Sequence, residues 1–337
     1  DGDDSYTYYT EGDIIQASKV LTGWHSEDVF SGPERQRFNP EDHDETTKVF
    51  SNKFNNKSIP NNGAEEHKDL VDMIFESDRV SEYICEKIYR WFVYYVIDDE
   101  VKQKIISPLA KTLRDNDYEI KPVLDQLFRS IHFFESHTLG ARIKGPIDFN
   151  IGFLRQISYT DYKDYSYLDK YYFWKQRHNN IRDQEQSILD SPNVAGWPAY
   201  YQNPLFHEYW ITSVTLPMRT SQIKSYLTNN GLRASRDNVD LRITSDPLIL
   251  VASLEKPEDI NLIVETLCQW LFPVRAEISE STKSDLIDIV IGGNPNMWAD
   301  EYNDYISAPT DQKRESLNKK LRELLKEMCL MPEYYLS

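Results

Sequence analysis

At 337 residues, with 40% hydrophobic content, 22 Tyr, 14 Phe and 7 Trp, the chain has ample material for one large or two ordinary folded domains, which excludes a disordered protein. Its formal charge of −17 spreads a negative field that repels phosphate backbones and anionic lipid, so nucleic acid is not an expected partner. No apolar run is long enough to span a bilayer, and Cys85, Cys268 and Cys329 sit in apolar helical contexts with neither metal-ligand nor disulfide-framework spacing.

The opening DGDDSYTYYTEGD carries no initiator methionine, basic n-region or apolar h-region, which reads as a processed or cut start. Thr10 with Asp13 forms a capping-box pattern, and Ile14, Ile15, Ala17, Val20 and Leu21 then recur at helical spacing up to Gly23. Residues 25–63, with Gly32, Pro33, Pro40, Pro60 and Gly63 among polar residues, read as a long loop or hairpin-like excursion. Four helical stripes follow between Glu65 and Glu135. The first contains Val71 and Ile74; the second Ile84, Ile88, Trp91, Phe92 and Tyr95; the third Val101, Ile105, Ile106 and Leu109; the fourth Ile120, Val123, Leu124, Leu127 and Phe128.

Past Gly140 and Gly145–Pro146 another helix is expected over about 147–157, whereas YTDYKDYSYLDKYYFW supports no assignment. Residues 190–203 form an irregular Pro/Gly/Tyr loop, a helix with Trp210, Val214 and Met218 follows, and the last hundred residues are again helical. The basic run KRESLNKKLRELLK is interleaved with Glu315, Glu323 and Glu327 and reads as a solvated helix face. The expected fold is all-α: a compact multi-helix bundle or array with long irregular loops at about 25–63 and 190–203. It forms one domain over 1–337, with a subdivision into 1–157 and 158–337 as the alternative.

Familiar catalytic and metal patterns do not fit. Calcium-loop spacing fails from both Asp1 and Asp115, and there is no GxSxG, HExxH or P-loop. None of the seven histidines pairs at i, i+4, and no metal ligand set is assigned. His43 stands between Asp42 and Asp44 in FNPEDHDETTKVF, where two readings remain open: an imidazole oriented by a carboxylate as base or ligand, or a loop histidine tied to the backbone. The stretch DSPNVAGWPAYYQNPLFHEYW sets three prolines among aromatics, a rigid surface that suits carbohydrate, peptide or a partner chain, or else plugs its own fold.

TEGDIIQASKVLTGW, FNPEDHDETTKVF, IKGPIDF, SPNVAGWP and the closing LMPEYYLS occur here in this order, and together they carry a resemblance. The chain resembles domain-of-unknown-function family 1800, in its Bacteroidetes-type version, from about residue 6 to the C-terminus. The matching positions are Leu21, Thr22, Gly23 and Trp24; Phe38, Pro40, His43, Asp44, Lys48 and Phe50; Lys144, Pro146, Asp148 and Phe149; and Pro192, Asn193, Val194, Gly196, Trp197 and Pro198, with Trp210 following. Gly145 stands where serine is usual, which weakens any nucleophilic role for that hydroxyl. The resemblance implies an exported helical protein (periplasmic, cell-surface or secreted), often encoded beside sulfatase-like neighbours. It also implies that the chain is the C-terminal two-thirds of a longer domain, so that the first helix should present an apolar face.

Two functions are expected from these residues. The first is binding at the cell surface, to a protein partner or a surface polymer, with Trp24, Lys144, Asp148, Asn193, Trp197 and Trp210 as binding residues. A protein partner would be the upstream portion of the same precursor or the sulfatase-like neighbour. The alternative is a hydrolase-like or metal-dependent enzyme in which His43 and Asp44 supply base or ligands and Lys48 stabilises negative charge. No cofactor is assigned.

Overall fold

A computed structural model describes residues 8–26, 36–157, 165–236, 239–273 and 278–337. The chain is mostly helical, as its periodicities predict, and divides into two compact units, residues 1–134 and 135–337. The division falls before the position near 157 suggested by the helix pattern, because Phe149, Phe153, Leu154 and Ile157 belong to the core of the second unit.

In the first unit, α1 (Glu11–Val20) starts on the expected capping box: the Asp13 amide donates to Thr10 Oγ1 at 3.2 Å, and the Thr10 amide donates to Asp13 Oδ2 at 2.8 Å. The helix buries Asp13 and Val20, while Ile14, Ile15 and Leu21 are about half exposed. Among the described residues in and beside the 25–63 excursion, β1 (Trp24–Ser26) pairs antiparallel with β2 (Gln36–Phe38), and β3 (Lys48–Val49) with β4 (Ser58–Ile59). Then come α2 (Glu66–Phe75), α3 (Asp78–Phe92), α4 (Asp99–Val101), a π-turn over Lys102–Ile106, α5 (Ser107–Asp115) and α6 (Ile120–Phe128).

The predicted stripes on α2 and α3 are displaced by about one residue. On α2 the buried positions are Glu66, Leu70 and Met73, and Val71 and Ile74 lie outside. On α3 the buried line is Ser81, Cys85 and Tyr89, flanked by half-buried Ile84 and Ile88, while Trp91 and Phe92 are about half exposed. Tyr89 qualifies for the core because its hydroxyl meets His132 Nε2 at 2.8 Å, satisfying the polar end of a buried ring.

The second unit comprises α7 (Phe153–Gln156), α8 (Tyr167–Arg182), α9 (Pro198–Tyr201), α10 (Thr215–Tyr226), the hairpin β5 (Leu232–Arg236) with β6 (Val239–Ile243), α11 (Leu248–Val251), α12 (Ile260–Leu271), α13 (Glu280–Ile291), α14 (Met297–Ser307) and α15 (Asp311–Leu330). Part of the unassigned Tyr/Asp stretch lies outside the described residues; the rest begins α8. Trp210 ends a 3₁₀ turn over Phe206–Trp210 instead of entering the following helix. Helix α15 lies against α10 through α14 and buries Leu317, Leu321, Leu324, Leu325 and Met328. Its basic run is less solvated than expected: Arg322 is buried and donates to the Ser245 carbonyl at 2.9 Å and Asn229 Oδ1 at 3.2 Å.

Candidate binding site

The sequence motifs gather into separate assemblies, two of them within the first unit's 25–63 excursion and the ends of α1 and α2. Gly23 takes φ +83, and a Cβ there would meet the Asn39 carbonyl oxygen at 2.8 Å and the Phe38 ring at 2.9 Å, so only glycine lets the chain turn this closely. The turn brings Trp24 against Phe38 at a tilt (centroids 5.4 Å) and edge-on to His67 (5.4 Å), and Phe38 against His43, also tilted (5.3 Å).

Beneath these rings, His43, Lys48 and Glu66 form a closed group, with side chains 2%, 0% and 0% exposed. His43 Nε2 is 2.9 Å from Glu66 Oε1, and Nδ1 is 3.0 Å from the Thr22 carbonyl, so both ring nitrogens face acceptors inside the protein. The Lys48 ammonium is 2.6 Å from Glu66 Oε2 and also donates to the Asp44 carbonyl. Burial opposes the charge on Glu66, but bonds from Lys48, His43 and the Asn62 amide outweigh it and hold the carboxyl below its ordinary value. Asp44 does not join them: its carboxylate accepts from Thr46 and stands 3.7 Å from Lys19, while its amide donates to Thr22 Oγ1 at 2.8 Å.

Glu66 was missed from sequence because Glu65 beside it has the same chemistry and pairs on the surface with Lys68. The usable signal is spacing: Glu66 heads the line completed by Leu70 and Met73, so a carboxylate on an apolar face needs cationic partners.

In the second unit, IKGPIDF meets the closing MPEYYLS. Residues 142–144 run antiparallel to 335–337, with the Lys144 amide donating to the Tyr335 carbonyl at 2.8 Å and the Ser337 amide to the Arg142 carbonyl at 2.7 Å. Lys144 Nζ donates to the Tyr334 carbonyl at 2.6 Å and lies 4.0 Å from the centre of that residue's ring. Burial pulls the Lys144 amine down to about 8. Arg219, also buried, donates to the Lys144 carbonyl at 2.8 Å and stands 4.9 Å from the Phe149 ring centre. Asp148 is exposed near this group, and its Oδ2 lies 3.6 Å from where a Gly145 Cβ would be, with Trp210 Nε1 at 3.7 Å and Gln186 Oε1 at 3.4 Å.

Gln186 links this assembly to the Trp197 loop. Its Oε1 accepts from the Ile147 amide at 2.9 Å, and its Nε2 donates to the Tyr200 hydroxyl at 2.8 Å. The Tyr200 ring stands edge-on to both Trp197 (6.2 Å) and Trp210 (5.6 Å). Asn193 fixes the loop tip, accepting from the Ala195 amide at 2.8 Å and donating to the Tyr201 hydroxyl at 3.0 Å. Between the loop and the end of α8 lies a groove of about 550 Å³ whose walls include Pro192, Trp197, Pro198, Tyr209 and Trp210. Arg182, Glu185, Ser187, Asp190 and Ser191 supply its polar groups. Of the sequence-predicted binding residues in this unit, Trp197 and Trp210 line the groove, Asn193 shapes it, and Lys144 and Asp148 belong to the assembly behind Gln186.

A family model described as "Protein of unknown function (DUF1800)" matches residues 2–336, essentially the whole chain. Comparison with curated proteins and with solved structures finds no match.

Proposed function

The chain belongs to the DUF1800 family, and for this member we propose a binding role, in which the groove between the Trp197 loop and α8 holds a surface polysaccharide. The observation that supports it is the pairing of aromatic walls, Trp197 and Tyr209 with Trp210 buried behind them, with a rim of hydroxyl, carboxylate and guanidinium groups. Sugar rings present apolar C–H faces and polar edges, and such a groove meets both. Internal bonds from Gln186 and Asn193 hold the groove in shape before any ligand arrives, which lowers the ordering cost of binding. Placement outside the cytoplasm, as the family resemblance implies, is part of the proposal.

A protein partner is the second reading, supported by Leu189 and Val194, whose side chains stand fully exposed on the same segment at 98% and 109%. The enzyme alternative needs His43 and Lys48 to reach a substrate, and both are closed in on Glu66.

A screen of the intact protein against bacterial surface polysaccharides, followed by titration calorimetry on any polymer retained, tests the proposal. Trp197→Ala is expected to weaken binding roughly tenfold or more while the variant still melts cooperatively. Retention of no polymer by the wild type, or equal affinity in the variant, contradicts it.

A further inference from the structure

The polar groups of the groove are not balanced in charge. Arg182 is offset by Asp183, whose carboxylate lies 3.2 Å from its guanidinium. Glu185 and Asp190, on the same groove, have no hydrogen-bond or ion-pair partner for their side chains among the described residues. Glu185 takes φ +72, in the left-handed region past the end of α8. Two exposed, uncompensated carboxylates line the same groove as Trp197 and Tyr209, so the groove offers both attractions a protonated amine responds to, charge pairing and cation–π contact. The overall charge of −17 adds long-range attraction for a cation and disfavours an anionic polymer.

We infer that the groove prefers a glycan bearing free amino groups, an amino sugar that is not N-acetylated, an inference that rests on the polysaccharide-binding reading above. The amine would sit between Glu185 and Asp190, with the sugar ring over Trp197.

Titration of the intact protein at mildly acidic pH with β-1,4-linked oligomers of glucosamine, N-acetylglucosamine and glucose, all of equal length, tests it. The expected result is a preference for the glucosamine oligomer of roughly tenfold over the acetylated one, shrinking as salt is added. In the double variant Glu185→Gln, Asp190→Asn the glucosamine oligomer should fall to the affinity of its acetylated counterpart. Equal affinity for all three oligomers overturns the amine preference and leaves the binding reading standing. Binding of none of them, with no other polysaccharide retained in the screen, removes the reading itself. An oligolysine of the same charge that binds as tightly and displaces the glucosamine oligomer overturns the assignment to a glycan.

Discussion

Glu66 closes His43 and Lys48 into one buried group. A carboxylate with no exposed surface, facing an ammonium at 2.6 Å and an imidazole nitrogen at 2.9 Å, is a group that cannot lose a partner cheaply. Removing one member of a buried pair leaves an uncompensated charge, so Lys48→Met should lower stability by about 3–5 kcal/mol, read from urea unfolding. A loss under about 1 kcal/mol would show that Glu66 finds water, and that the group is open enough for chemistry. The acid side carries the same signature. Because the folded carboxyl lies below its ordinary value of 4.5, its contribution is complete above that pH and is lost as pH falls through the lower folded value. Sequence pointed to His43 and Lys48 through their shared loop, but their partner lay beyond that loop on the apolar face of α2, and no local pattern joined the three.

At the scale of elements, the helices were legible and their faces less so. The α1 capping box was readable because both members lie within one turn, and Asp13 does more than the box requires: its carboxylate also accepts from the Ser51 amide and hydroxyl, each at 2.7 Å, tying α1 to the excursion. Stripes on α2 and α3 were misplaced because half-exposed aromatics and aliphatics, Trp91, Phe92, Val71 and Ile74, count as apolar in a periodicity while Ser81 and Glu66 do not. The β5–β6 hairpin, whose second strand falls in the stretch expected to be helical, was not read because its strands, LRASR and VDLRI, are short and polar. The pairing of residues 142–144 with 335–337 was equally hidden, being a contact across nearly the whole second unit. Lys144 in that pairing carries a pH prediction. Burial lowers its amine from 10.5 to about 8, so between those values the unfolded chain binds the extra proton and stability gains with rising pH. Buried Cys85 and Cys268, pushed up from 9.0 to about 11, act in the opposite sense above pH 9. Unfolding free energies of wild type and Lys144→Met across pH 8 to 10 should therefore diverge, the wild type gaining relative to the variant; parallel curves would show that Lys144 reaches solvent.

For the whole molecule, composition and periodicity were enough for the helical class, and ordered motifs for the family, since both are properties summed over many residues. What the motifs are near was not legible. The first unit collects Thr22, Gly23, Trp24, His43 and Lys48 around Glu66; the second collects Lys144, Asp148, Trp210 and the Trp197 loop around Gln186. In the first collection His43, Lys48 and Glu66 are closed in, and the second borders the groove on which the binding proposal rests. Hydrogen–deuterium exchange of the intact protein, with and without a polysaccharide that it retains, tests this most directly. The account predicts added protection across residues 182–210, the end of α8 through the Trp197 loop to Trp210. Protection confined to residues 38–66, around His43 and Glu66, would contradict it.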